Sequence, residues 1–285
     1  MTHADIDTQQ RAVSIPESGV LATAMHYLAC GSGRSVVFLH GLGASKELWR
    51  PTLRALAPHY RAVALEWPGH GSSPPPPDYD LEQMTVLALE SCSALGLTSF
   101  TLVGHSLGGN IAVRKALSAP ARVHQLVLVD AALDARDFAL WHRSDPPPYS
   151  DRAHRALRGI TRPLAWLGQH MPAEGGALQP FARRVHAWQP VTAAAMRGYM
   201  AAIWAHPLGP RLEGIQQPVL IVHGTRDPLV LPRQARRAAA RIPNARLCWL
   251  RGAFHTPMDE QPEAFIAALR GFLAEASPES PPVPT

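Results

Sequence analysis

"TLVGHSLGGN", residues 101–110, decides how the chain is read. Ser106 stands at the centre of a G-x-S-x-G stretch that runs from Gly104 to Gly108. Apolar and β-branched residues precede it, and a helical pattern follows. In that setting a serine sits on a tight strand-to-helix turn that pushes its hydroxyl outward. The two glycines suit such a turn because backbones pass closely only where there is no Cβ. A pentapeptide of this form is common by chance. The rest of the chain must therefore supply a base, an acid and amides that can hold a developing negative charge.

Outward from Ser106, short apolar runs alternate with helical patterns. The runs at 35–41, 61–69, 100–106, 125–132, 218–224 and 245–252 read as buried strands. They are continuous rather than alternating, which is the pattern of a parallel sheet covered on both faces. "GVLATAMHYLACG" (19–31) is expected to supply two leading antiparallel strands. Between the runs, a helix begins after Asp80, which stands at capping-box spacing from Gln83. Another follows Ser106 and stops at a proline. "LPRQARRAAARI" and "QPEAFIAALRGFLAEA" each carry proline at or near the first turn, where its missing N–H does no harm. Strands alternating with helices predict an α/β fold with a mostly parallel sheet.

The rhythm breaks between about Asp134 and Arg211. This stretch offers helical fragments, prolines and the tryptophans Trp141, Trp166, Trp188 and Trp204, with no convincing buried strand. It is too long for a structureless loop and reads as an inserted helical subdomain. The division is then a core in two parts, 1–133 and 212–276, with the insertion at 134–211. A proline-rich tail at 277–285 and the polar residues 1–12 are expected to be mobile.

The composition, 46% hydrophobic and 17% charged over 285 residues, is that of a globular protein large enough for one α/β domain. The net charge of +5 comes almost wholly from arginine, since Lys46 and Lys115 are the only lysines. Neither a basic stripe with stacking aromatics nor a known module points to nucleic acid. No apolar run approaches membrane-spanning length. Cys30, Cys92 and Cys248 are odd in number and far apart, without metal-ligand spacing. Together with a polar N-terminus these features predict a soluble cytoplasmic protein.

A serine hydroxyl is a poor nucleophile until a histidine takes its proton and a carboxylate holds that imidazole in the right tautomer. Of the many histidines, His255 lies in the loop after the last predicted strand, at the sheet edge where ligands bind in open α/β folds. Asp227 in "VHGTRDPLV" follows another such strand. The chain order Ser106, Asp227, His255 fits a nucleophile elbow. Asp130, at the end of "LVLVDAA", is the rival acid, with a bracing role at the entry to the insertion as its alternative. His40, His70, His105 and His223 read as structural. The amide of Leu107 is one candidate oxyanion donor, and the amide of Leu42 in "HGLG" is the second. Trp141, Trp166 and Trp204 are candidate walls of an apolar substrate pocket.

"HGLGASKELW", "EWPGHGSS", "LVGHSLGGNIA", "PVLIVHGTRDPLV" and "GAFHTPMDEQPEAF" together resemble the α/β-hydrolase superfamily, in particular its capped serine esterases, lactonases and carbon–carbon bond hydrolases. The resemblance covers about residues 19–133 and 212–275. It implies an eight-stranded, mostly parallel sheet, a helical cap over 134–211, the triad Ser106, Asp227 and His255, and no metal or organic cofactor. Ester cleavage through an acyl-enzyme is the activity it implies. Thioester, lactone or carbon–carbon cleavage and a non-catalytic binding role are the alternatives. One departure is visible: the turn usually opened by aspartate begins here with Glu66, a position read as structural. Serine at 106 sets the chain apart from relatives that use an aspartate nucleophile.

Overall fold

Continuous apolar runs form central strands because side chains on both faces of such a sheet are taken out of water. The computed structural model describes residues 9–14, 24–74, 80–134 and 193–275. Its strands are β1 (Gln9–Ser14), β2 (Ala24–Cys30), β3 (Arg34–Leu39), β4 (Tyr60–Leu65), β5 (Phe100–His105), β6 (Val123–Val129), β7 (Val219–Gly224) and β8 (Ala245–Leu250). They form one eight-stranded sheet in the order β1-β2-β4-β3-β5-β6-β7-β8. β2 runs antiparallel to β1 and β4, and the pairings from β4 through β8 are parallel.

The N-terminal expectation needs correcting. Residues 9–12, expected to be mobile, belong to β1, which pairs from Gln9↔Ala29 to Ser14↔Ala24. The first strand therefore lies upstream of the 19–31 run. "QQRAVS" carries little apolar signal because an edge strand can gain its order from one ladder of backbone hydrogen bonds.

Alternation along the strands sorts the core into two layers. Val37 and Leu39 of β3, Leu102 of β5, Leu126 and Leu128 of β6, and Val219 and Ile221 of β7 face one apolar cluster. Their neighbours Val36, Phe38, Val103, Val127, Val129, Leu220 and Val222 face the other. The first layer is closed by α2 (Leu81–Ala94), α3 (Leu107–Ser118), α4 (Ala193–Ala205) and α5 (Pro232–Arg241), through Met84, Ile111, Tyr199 and Ala235. The second is closed by α1 (Arg50–Leu56) and α6 (Pro262–Ala274), through Leu53, Leu56, Phe265 and Leu269. As expected, Asp80 caps α2, its Oδ1 accepting from the amides of Glu82 (2.6 Å) and Gln83 (3.0 Å).

Within 134–211 the described part is Asp134 together with residues from 193 onward: α4 and a 3-10 stretch, Gly209–Gly214, that runs past the expected boundary. Trp141, Trp166 and the tail at 277–285 lie outside the described residues. Cys30, Cys92 and Cys248 are free thiols. Among the described residues no helix is long and apolar enough to cross a membrane.

This topology gathers the C-terminal ends of β3, β5, β6, β7 and β8 along one edge. The loops that follow carry Leu42, Ser106, Asp130, Asp227 and His255.

Candidate active site

Ser106 follows β5 and opens α3 with φ 52° and ψ −116°, in the left-handed region that non-glycine residues seldom enter. Its backbone is held on two sides. Its N–H donates to Val129 O at 3.0 Å, while its carbonyl accepts from Ala132 N at 2.9 Å and Gly109 N at 3.0 Å. Strain of this kind persists only where the surroundings over-determine it. The glycines of the motif are explained by packing. A Cβ at Gly104 would lie 2.4 Å from Gly108 O, and one at Gly108 would lie 2.3 Å from Leu39 O. The Ser106 side chain is half-buried and makes no cap to its own helix.

His255 sits in the loop after β8, and its Nδ1 is 2.7 Å from Asp227 Oδ2. A carboxylate accepts, so Nδ1 carries the proton and Nε2 is left as the basic nitrogen. Asp227 is fixed in turn by two amides, Leu229 N at 2.8 Å and Val230 N at 3.0 Å, both on Oδ1. Burial alone pushes the Asp227 carboxyl up. The hydrogen bond and charge of His255, with the Leu229 amide, outweigh burial and keep the group below the ordinary carboxylate value. The His255 loop is tied to the elbow directly, because His105 Nε2–H donates to His255 O at 2.7 Å.

The loop after β3 closes on the serine from the opposite side. A Cβ at Gly41 would lie 2.8 Å from His105 Nδ1 and 3.0 Å from Ser106 Cβ, so glycine there permits the contact. His40 fixes this loop. Its Nε2 accepts from Trp67 N at 3.1 Å, its Nδ1–H donates to Gly41 O at 2.8 Å, and its own carbonyl accepts from Trp67 Nε1 at 2.8 Å. An imidazole used in this way must be neutral. Burial, and then the neighbouring His70, holds its pKa well below the usual value. Burial likewise pushes His70 down to about 4 and His105 down to about 3. Among the described residues neither the Leu42 nor the Leu107 amide donates to a backbone carbonyl outside regular helix and strand bonding. The Leu107 side chain is core, which leaves only its N–H to the site.

The departure at Glu66 has a partner. Lys46, in the loop after β3, places Nζ 2.9 and 3.0 Å from the two Glu66 oxygens and 3.3 Å from Ser72 Oγ. Both side chains are almost fully buried. The pair stitches the β3 loop to the turn after β4.

Each core residue singled out by sequence thus lands on the same edge, and His255 and Asp227 are brought into direct contact. His40, His70, His105 and His223 are buried and hydrogen-bonded to backbone carbonyls. Asp130 does not brace the entry to the insertion: its Oδ1 accepts from Gly224 N at 3.0 Å, toward β7. The entry is braced by Gln234, whose Oε1 accepts from Leu133 N and Asp134 N and whose Nε2 donates to Ala131 O. Trp204, on α4, is half-buried and packs against the core beneath that helix. Sequence reasoning missed Glu260, which accepts from Phe254 N (2.6 Å), Thr256 N (3.2 Å) and Thr256 Oγ1 (2.9 Å) and so clasps the loop on both sides of His255. The available signal was a carboxylate four residues after a threonine at a helix start.

A doubly covered, mostly parallel sheet with a serine elbow after β5 and an Asp–His pair on the loops after β7 and β8 defines an α/β hydrolase. Residues 34–262 match the model of the alpha/beta hydrolase fold family, and the chain belongs to that family. A putative carbamate hydrolase, RutD, of Caulobacter vibrioides is 32% identical over 88% of this chain and 96% of its own length. The pimeloyl-acyl-carrier-protein methyl ester esterase of Nitrosomonas europaea is 26% identical over 86% and 97%. Among solved structures, the enol-lactonase from Burkholderia xenovorans superposes with a TM-score of 0.73 at 25% identity, covering 93% of this chain and all of that one.

Proposed function

We infer that this chain is a serine hydrolase that cleaves an ester (acyl) bond in a small, largely apolar substrate. The observation that carries the reading is the 2.7 Å Asp227–His255 hydrogen bond, on a loop tethered to the residue before Ser106. In the first half-reaction His255 Nε2 takes the Ser106 proton as Oγ attacks the carbonyl carbon. The oxyanion is received by the Leu42 and Leu107 amides. The imidazolium, steadied by Asp227, then gives its proton to the leaving alcohol, and the C–O bond breaks to leave an acyl-serine. Water, deprotonated by His255, repeats the addition and releases the acid and the free serine.

Residues 134–211 are taken as the cap that shapes the substrate pocket, with Trp141, Trp166 and Trp204 as wall candidates. No cofactor enters any step, and the partner is a small molecule rather than a nucleic acid or a membrane. A cytoplasmic setting, suggested by the three free thiols, belongs to the same proposal. The named activities of the relatives cover a methyl ester, a carbamate and an enol-lactone, compounds that each contain a carbonyl group.

Initial rates on p-nitrophenyl esters from acetyl to long acyl chains test the reading. Turnover with a clear chain-length optimum is expected. A folded protein inert to every ester in the series would contradict it and turn attention to thioester, lactone or carbon–carbon bonds.

A further inference from the structure

Behind His255 lies a second carboxyl group that the reaction above does not use. Asp130 follows β6, is fully buried, and with Ser106 is one of two non-glycine residues with positive φ (42°) among those described. Its neighbours from β7 and the following loop are His223 and Asp227, and the donor atoms of all three lie within 4.8 Å of one another. His223 Nε2 is 3.1 Å from Val230 O, a group that can only accept, so the imidazole proton sits on Nε2. A neutral His223 then turns the lone pair of Nδ1 toward Asp130 Oδ1, 3.2 Å away. Asp227, the carboxylate that accepts the His255 Nδ1–H hydrogen bond, has an oxygen within 4.8 Å on the other side. Asp130 is therefore flanked by two acceptors, and its Oδ2 is buried with no hydrogen-bond partner among the described residues.

A carboxyl group in that position must itself carry a proton, because two buried carboxylates with oxygens within 4.8 Å of each other do not both ionise. We propose that Asp130 is a positioning residue of the hydrolytic site: as a neutral acid it donates a hydrogen bond to Asp227 and so holds in place the carboxylate that orients His255. This rests on the reading of Ser106, Asp227 and His255 given above. Burial, and then the charge of Asp227, raises Asp130 well above the ordinary carboxylate value, while burial lowers His223. Both directions favour a neutral acid beside a neutral imidazole.

A cation in place of the proton is disfavoured by what already points inward. Gly224 N–H is aimed at Asp130 Oδ1, Leu229 and Val230 N–H at Asp227 Oδ1, and His255 Nδ1–H at Asp227 Oδ2. These donors take both lone pairs of Asp227 Oδ1 and one on each of Asp227 Oδ2 and Asp130 Oδ1, which leaves few for a metal. The left-handed backbone at 130 fits aspartate and asparagine, and the side chain is in turn anchored by the Gly224 amide.

Two variants that both tolerate positive φ separate the role of the proton from that of the backbone. Asp130→Asn keeps a donor for Asp227 and an acceptor for Gly224 N–H, and its kcat on a p-nitrophenyl ester should stay within about threefold of the parent. Asp130→Gly removes both, and kcat should fall at least roughly tenfold with KM little changed, the mark of a misplaced catalytic group. If Asp130→Asn falls as far as Asp130→Gly, an ionised Asp130 is required and the proposal is wrong. If both variants keep parental kcat, Asp130 is a bystander and the proposal is equally wrong. An infrared spectrum of the unmodified protein at pH 7 gives a readout independent of turnover and of how the glycine variant folds. It should contain the C=O stretch of one protonated carboxyl group that is lost in Asp130→Asn. Absence of that band overturns the proposal. Absence of ester turnover in the parent, with the band present, counts against the esterase reading alone.

Discussion

Ser106→Ala, His255→Ala and the double variant should all fall to the same residual activity, about a million-fold below the parent in kcat. The shared floor is the telling result. In the proposed mechanism Ser106 supplies the attacking oxygen and His255 the only route for its proton, so once either is gone the second substitution has nothing left to remove. The remaining rate would reflect binding and the two proposed oxyanion amides, which both variants retain. Ser106→Ala should unfold at parental denaturant concentrations, since Ser106 makes no helix cap, whereas His255→Ala leaves the buried Asp227 carboxylate without its partner and should unfold earlier. Losses that multiply in the double variant would mean that the two residues act in separate steps.

The second large effect is on stability. Lys46→Met leaves Glu66 fully buried with no counter-charge, and the expected loss is about 3–5 kcal/mol. In melting temperature this is a drop on the order of 10 °C for a chain of this size. Glu66 has little room to escape, because a Cβ at Gly71 would already meet its Oε1 at 2.2 Å. The double variant Lys46→Met, Glu66→Leu removes both charges and should recover most of the loss. Equilibrium urea unfolding of the parent, the single and the double variant checks this, and an unchanged midpoint for Lys46→Met would contradict it. Lys46 and Lys115, the only lysines, are both buried, while arginine accounts for the rest of the basic residues.

The fold was legible because β3 to β7 are continuous apolar runs, largely buried as only a sheet covered on both faces allows. β8, expected to be buried, lies at the sheet edge and is only partly so. β1 escaped that logic because its order comes from pairing with β2 rather than from composition. Ser106, Asp227 and His255 were legible because each sits in a loop that follows a recognisable strand. What stayed hidden depends on contacts far apart in sequence. Glu66 could be seen as a departure but its partner Lys46, twenty residues earlier, could not. Asp130 stands in the sequence as a rival acid or a brace for the insertion, because nothing local reveals that its side chain turns toward Gly224 and His223. Glu260 acts through two amides and a hydroxyl that flank His255, a relation that exists only once the loop is folded.

Covalent trapping tests the nucleophile most directly. The protein would be treated with a fluorophosphonate, digested and analysed by mass spectrometry, beside Ser106→Ala. One adduct per chain, on the peptide carrying Ser106 and absent from the variant, is the predicted result. No adduct on the folded protein, or an adduct on another residue, would contradict the assignment of Ser106 as the nucleophile.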